Sequence, residues 1–203
     1  MRFRLARIQQ RKMEERALTT LSSMLRARGY KFESPELLGN PLDETKMYSF
    51  GGCLVIFSEK SRISKQELQN YITFSTENSY TNGTVIISAS LPSDDVLSVV
   101  RRYVEDKSNP LLQVFDFRHV QFDITTHRKV PHHRILNDEE KAELEKKYPG
   151  DQLKVHPLID CQDPMAKWVG SRPGDILEII RFSNTAGATP YYRYCVADSR
   201  RAR

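Results

Sequence analysis

Residues Asp163 to Val196, DPMAKWVGSRPGDILEIIRFSNTAGATPYYRYCV, carry turn signals dense enough to leave the backbone little freedom. Asp163-Pro164 is a helix start, with a side-chain acceptor at the N-cap and proline at the first helical position. Met165 to Val169 give little more than one turn before Gly170 supplies a left-handed stop. Pro173-Gly174 is a turn pair leading into Ile176, Leu177, Glu178, Ile179 and Ile180, a strand rich in β-branched residues. Asn184 to Gly187 is a second turn, and Tyr191 to Val196 alternates like a returning strand. A short helix, a tight loop and a closing hairpin therefore form one compact unit. No catalytic pair lies inside it.

The rest of the chain reads as alternating helices and buried strands. A first helix runs from the basic start to Arg28, with Met13, Ala17, Leu21, Met24 and Leu25 on one apolar face and Gly29 closing it. After a loop marked by Pro35 and Pro41, Cys53 to Phe57 reads as a buried strand behind Gly51-Gly52. Ser64 and Glu67 are spaced as a capping box opening a helix with Leu68, Tyr71 and Ile72 on one side. Thr84 to Ile87 make a second buried strand after Asn82-Gly83. Ser93 caps a helix with Val96, Val99, Val100, Tyr103 and Val104 at helical spacing, and Leu112, Val114, Phe115 and Phe117 begin a further strand. This alternation predicts a small α/β layer over residues 1–121, with a second domain over 122–203.

Composition narrows the class. With 39% hydrophobic and 28% charged residues, the 203-residue chain matches a globular rather than a disordered protein. No apolar run approaches a membrane span, and the Arg-rich start lacks the apolar segment of a secretory signal. Cys53, Cys161 and Cys195 are widely spaced, so free thiols in a reducing compartment are expected. The net charge of +5 permits contact with a polyanion without demanding it. The bias sits at the ends, in Arg2, Arg4, Arg7, Arg11 and Lys12 and again in Arg200, Arg201 and Arg203, which read as solvated tails.

Several motifs together carry a resemblance. D-P-x-A-K-W-x-G from Asp163, R-P-G-D-x-x-x-I-I-R from Arg172, S-x-T-A-G from Ser183 and Y-R-Y from Tyr192 resemble the C-terminal domain of the fifth subunit shared by nuclear RNA polymerases I, II and III, a family with a counterpart in the archaeal RNA polymerase. THRKVPHHRILNDEEK, from Thr126 to Lys141, resembles that domain's opening. The match is dense over roughly the last eighty residues, the length of a small domain. ERALTTLSSMLRARGYKF and TVIISASLPSDDV resemble, more thinly, the family's N-terminal opening helix and its central strand, turn and helix, so the chain reads as a divergent member.

The resemblance implies an α+β / α/β protein with a nuclease-like α/β jaw domain and a small C-terminal α+β assembly domain. It implies a non-catalytic structural subunit with no cofactor and no metal. Its partners would be the largest polymerase subunit and neighbouring small subunits, one copy per complex, with downstream DNA near the jaw and no membrane. Docking would fall to Pro131, His133, Asp163, Pro164, Trp168, Gly170, Arg172, Gly174, Arg181, Thr185, Gly187, Tyr192 and Arg193. Pro92 and Ser93 occupy the family's DNA-proximal T-P-S-A turn. Leu91 replaces its threonine there and Asp94 its alanine, and two adjacent carboxylates should repel phosphate. The nucleus is the implied location, with a cytoplasmic viral transcription site as the alternative.

Two other chemistries compete. A metal-dependent nuclease needs carboxylates and a lysine converging on one ion, and Asp43, Glu44 and Lys46 have the nearest spacing. That stretch is polar and flanked by Pro41, so it reads as a solvated loop. A free-standing DNA-binding module would use Arg2, Arg4, Arg7 and Arg11, with a steep salt dependence. His127, His132, His133 and His156 lack the second ligand pair of a zinc site and read as surface or hydrogen-bonded histidines. Trp168, Tyr191, Tyr192 and Tyr194 read as packing aromatics beside an apolar strand.

Overall fold

A computed structural model describes residues 2–39, 42, 45–60, 62–183, 185 and 187–200, with side chains from residue 12 onward. The chain divides into two compact units, residues 1–103 with 107–123, and residues 104–106 with 124–203.

The first unit is built on helix α1 (Arg2–Ala27) and a five-stranded sheet in the order β1-β2-β3-β4-β5. The strands are β1 (Glu36–Gly39), β2 (Thr45–Phe50), β3 (Cys53–Ser58), β4 (Thr84–Ser88) and β5 (Leu112–Asp116). Ala17, Leu21, Met24 and Leu25 of α1 are buried as their spacing predicts, whereas Met13, assigned to the same face, is exposed. Every residue of β3, β4 and β5 is buried, and these three strands run parallel. Parallel neighbours need long crossovers, which α2 (Lys65–Glu77) and α3 (Asp94–Glu105) supply. Ser64 and Glu67 form the expected capping box, each side chain accepting from the other's backbone N–H. Phe117 leaves the strand expected of it and opens a 3-10 turn capped by Asp116.

One strand corrects the loop expected around Lys46. Thr45–Phe50 pairs antiparallel with β3 across a two-residue connection, Gly51-Gly52, with Phe50 opposite Cys53. Both glycines take positive φ, 56° and 85°, as a tight hairpin twisted to match its strands requires. A Cβ on Gly51 would also lie only 2.4 Å from the Lys31 carbonyl oxygen. The hydrophobic pattern of Met47, Tyr48 and Phe50, all buried, outweighs the polar DETK that precedes it.

The second unit holds a four-stranded sheet in the order β6-β8-β9-β7. Its strands are β6 (His132–Ile135), β7 (Leu158–Asp160), β8 (Ile176–Ser183) and β9 (Gly187–Val196), with helices α4 (Asp138–Lys147), α5 (Gln152–Val155) and α6 (Pro164–Val169). Side chains alternate across a sheet, so β8 feeds two separate cores. Leu177 packs with Ile159, Cys161, Ala166 and Cys195 on the α6 face, and Ile176 packs with Leu136 and Leu144 on the α4 face. Cys53, Cys161 and Cys195 are all buried free thiols, and burial pushes Cys53 and Cys195 up to about 12. Thiols held that far from ionisation are poor nucleophiles.

Candidate docking surface

Several of the expected docking residues serve the second unit's own turns. The Asp163 carboxylate accepts from Met165 N at 2.9 Å and Ala166 N at 3.4 Å, with Pro164 at the first helical position. Gly170 ends α6 in the left-handed conformation, φ 77°. Arg172 N donates to Asp175 Oδ2 at 2.8 Å, and Gly174 N donates to the Cys195 carbonyl at 2.9 Å, tying the turn to β9. Trp168 is 6% exposed and belongs to the interior.

The α4 face of the sheet is internally satisfied. Arg134 donates to Glu178 Oε2 at 2.7 Å and to Glu140 Oε2 at 2.8 Å, and Tyr192 Oη donates to Glu178 Oε1 at 3.4 Å. The hydrogen bond it donates to Glu140 leads the causes that raise the Arg134 guanidinium above its ordinary value. His156, buried, sits edge-on between Tyr148 and Tyr192 with centroids 6.0 and 6.1 Å away, and its Nε2 pairs with Gln152 Oε1 at 3.0 Å. This aromatic packing matches the packing role expected of Tyr192.

The strand pair β8–β9 outruns its neighbours. β6 pairs with β8 only as far as Ile180, and β7 pairs with β9 only over Tyr194 to Val196. Beyond Ile180 the pairs Arg181–Thr189, Phe182–Ala188 and Ser183–Gly187 form a two-stranded ribbon. All six residues are exposed, Phe182 at 82%. A phenyl ring left in water forgoes on the order of 2 kcal/mol of burial. Thr185, at the turn, has its hydroxyl 3.1 Å from that of Ser183. Arg181, Thr185 and Gly187 thus come together on the ribbon, which also carries Phe182, a residue absent from the docking set expected from sequence. Part of its signal lies in the sequence: Phe182 continues the strand just before the turn.

The α6 face of the ribbon carries positive charge. The Arg181 guanidinium lies 4.0 Å from the Tyr191 ring centroid and that of Arg193 lies 5.8 Å from it. Arg193 Nη1 donates to the Leu158 carbonyl at 3.3 Å, while its buried Nε meets no acceptor among the described residues. An enclosed donor without a partner costs about 1–3 kcal/mol. His133 stands opposite Ile179, which stands opposite Tyr191, so all three share this face. Its Nδ1 is 2.7 Å from the Pro131 carbonyl, and burial, outweighing that contact and Asp163, pulls the imidazole below its ordinary value. At neutral pH the positive charge of this strand pair's α6 face therefore comes from Arg181 and Arg193 rather than from His133.

The expected sites of the first unit do not converge. Pro92 and Ser93 are half-buried, and the Ser93 hydroxyl accepts from Val96 N at 3.4 Å as the helix cap. Asp94 and Asp95 are exposed beside it, with Asp95 reaching Lys65 at 3.4 Å. Lys46 donates to both Glu14 carboxylate oxygens, at 3.0 and 2.8 Å, and Tyr48 Oη donates to the same carboxylate at 2.8 Å. Glu14 and Lys46 flank a cavity of about 170 Å³ at the carboxyl ends of β3 and β4. Asp43 and Glu44 lie outside the described residues, as do the side chains of Arg2, Arg4, Arg7 and Arg11. Among the described residues no group of three His, Cys, Asp or Glu side chains is placed to hold a metal ion. His127 and His132 are exposed.

Residues 122–195 match the family "RNA polymerase Rpb5, C-terminal domain". "DNA-directed RNA polymerase subunit Rpo5" of Thermococcus onnurineus (strain NA1) is 50% identical over 80 residues, 38% of this chain and 94% of the relative. This chain belongs to the Rpb5/Rpo5 family. A second relative, "DNA-directed RNA polymerase subunit Rpo5" of Pyrococcus horikoshii, is 47% identical over 78 residues, again 94% of its length. "DNA-directed RNA polymerases I, II, and III subunit rpabc1" of Dictyostelium discoideum is 26% identical over 142 residues, 70% of this chain and 71% of the relative. The stretches shared with the archaeal relatives, 80 and 78 residues, are each 38% of this chain. The Dictyostelium match is longer than the second unit, so family likeness extends into the first. An α+β protein of this family accounts for both sheets. No helix among the described residues is long and apolar enough to cross a membrane.

Proposed function

We propose that this chain is a non-catalytic structural subunit of a multisubunit DNA-directed RNA polymerase, with residues 122–203 as its assembly domain and residues 1–121 as a jaw. Membership of a family of polymerase subunits supports the complex; the docking surface rests on the β8–β9 ribbon. The observation that carries it is Phe182, an aromatic ring 82% exposed on a ribbon whose neighbours stop short of it. Aromatic side chains and arginine are enriched at protein interfaces, and an exposed ring in a rigid frame is a ready anchor. The largest subunit is the proposed partner, with neighbouring small subunits and one copy per complex.

The jaw would stand near downstream DNA in a nuclear polymerase. Direct contact by the turn at Pro92 and Ser93 is disfavoured, because the serine hydroxyl is committed to its cap and two exposed carboxylates follow. The chain's role is then mechanical: it adds buried area that holds its partner in place, while nucleotide chemistry lies in other subunits.

The test is recovery of the tagged chain from its native source, with mass spectrometry of what accompanies it. Equimolar recovery of the two large polymerase subunits is expected, and the companion subunits would identify the polymerase class. Recovery of the chain alone under gentle salt would overturn the proposal.

A further inference from the structure

We infer that Arg181, Tyr191 and Arg193 form a clamp for a carboxylate on an acidic segment of the partner subunit. This inference rests on the docking proposal above and gives it a chemistry. Register places the three side chains on one face of the sheet: Leu177 stands opposite Arg193, Ile179 opposite Tyr191 and Arg181 opposite Thr189. Both guanidiniums approach the same phenol ring, at 4.0 and 5.8 Å. Among the described residues neither has a carboxylate partner, whereas Arg134 on the opposite face has two.

Arg193 is also under-supplied. Its only acceptor among the described residues is the Leu158 carbonyl at 3.3 Å, and its Nε is enclosed without one. A guanidinium offers five N–H donors in a planar fork, and a carboxylate accepts two of them side by side. The ring holds both forks in place, so little side-chain freedom is lost when an anion arrives. Two unneutralised cations sharing one ring repel each other until then. Charge complementarity therefore points to an acidic occupant.

The occupant is a protein segment rather than nucleic acid. Single-stranded binders stack bases on free aromatic faces, and Tyr191 already has Arg181 over its ring at 4.0 Å. Duplex binding draws on several phosphate contacts spread along the backbone, and here two cations approach a single ring. Phe182, next in sequence to Arg181 but on the opposite face of β8, gives the same ribbon a separate apolar contact for a protein partner.

Two measurements test the clamp. In the first, arginine Nε–H resonances of the full chain are followed while a capped peptide of alternating Asp and Ser is added, with the Asn-Ser peptide and duplex DNA as controls. Shifts of the Arg181 and Arg193 signals with the acidic peptide alone are expected. No shift, an equal response to the Asn-Ser peptide, or a response to duplex DNA alone would overturn the inference. In the second, tagged chains are recovered from the native source as Arg181→Glu, Arg193→Glu and Arg193→Lys. A drop in co-recovered largest subunit of roughly tenfold or more is expected for each glutamate variant, with part of it restored by the lysine. Arg181 is exposed on the ribbon, so its substitution leaves the core intact. Full recovery with Arg181→Glu, when the unaltered chain does bring the largest subunit, would refute the clamp and leave docking standing. If the unaltered chain brings none, docking itself falls.

Discussion

The two sheets of this protein end differently. In the first unit β3, β4 and β5 are buried at every residue, and the crossover helices and α1 leave the central strands no face to offer. In the second, β8 begins as a core strand at Ile176 and Leu177 and ends as an open ribbon at Phe182 and Ser183. One strand thus passes from interior to surface within eight residues. The difference teaches where binding surface can come from. The inner strands of a sheet covered on both faces spend their side chains on stability, while a sheet whose neighbours stop early keeps side chains over for a partner.

Substitutions can break that comparison. Ile86→Ala, in the middle of β4 and fully buried, removes a core side chain with no solvent-facing alternative. A loss of about 2–5 kcal/mol is expected, read from urea unfolding of the full chain. A loss below about 1 kcal/mol would mean the first sheet is less tightly packed than its burial implies. Gly51→Ala comes next, because a Cβ would meet the Lys31 carbonyl in a left-handed backbone. About 1–3 kcal/mol of destabilisation is expected. If the variant were neutral, the Gly-Gly hairpin that sets β2 would not be as tight as the register requires.

A helix cap in the second unit gives a smaller step. Asn137 and Glu140 form a reciprocal capping box at α4, each side chain accepting from the other's backbone N–H. Asn137→Ala should cost about 1 kcal/mol, measured by thermal or urea unfolding. Phe182→Ala should change stability least, by no more than about 0.5 kcal/mol, since the ring is almost wholly in water. Its expected effect lies elsewhere, in reduced co-recovery of the large polymerase subunits. If Phe182→Ala destabilised the chain as Ile86→Ala does, the ribbon would be part of the core and the contrast would fail.

Much of this architecture was legible in the residues. The runs at Cys53, Thr84 and Leu112 are strands because β-branched and aromatic side chains cluster there between turn residues. Ser64, Asn137 and Asp163 begin helices because their short side chains reach backbone N–H groups within the next turn. Gly170 stops a helix because its left-handed backbone carries no Cβ penalty. All of these signals act over three or four residues, so they survive without knowledge of the fold. The docking motifs were legible in the same local sense, yet Asp163, Pro164, Gly170 and Gly174 prove to hold the unit's own turns.

What remained was decided by neighbours distant in sequence. Lys46 reads as loop in its local context, but pairing with Phe57 makes it strand, and Glu14, thirty-two residues away, neutralises its charge. Ile180 and Phe182 are both apolar and lie on the same face of β8. One has a neighbouring strand beside it and the other does not, because β6 ends its pairing at Ile180. Arg134 and Arg193 are the same residue type in strands of one sheet. The first meets Glu178 and Glu140; the second meets a tyrosine ring and one carbonyl. The sequence by itself determined where strands, turns and caps lie, since those depend on backbone and side-chain groups a few bonds apart. Only the tertiary structure decided which apolar and charged groups were left over, because burial and charge pairing are properties of contacts that chain order does not display.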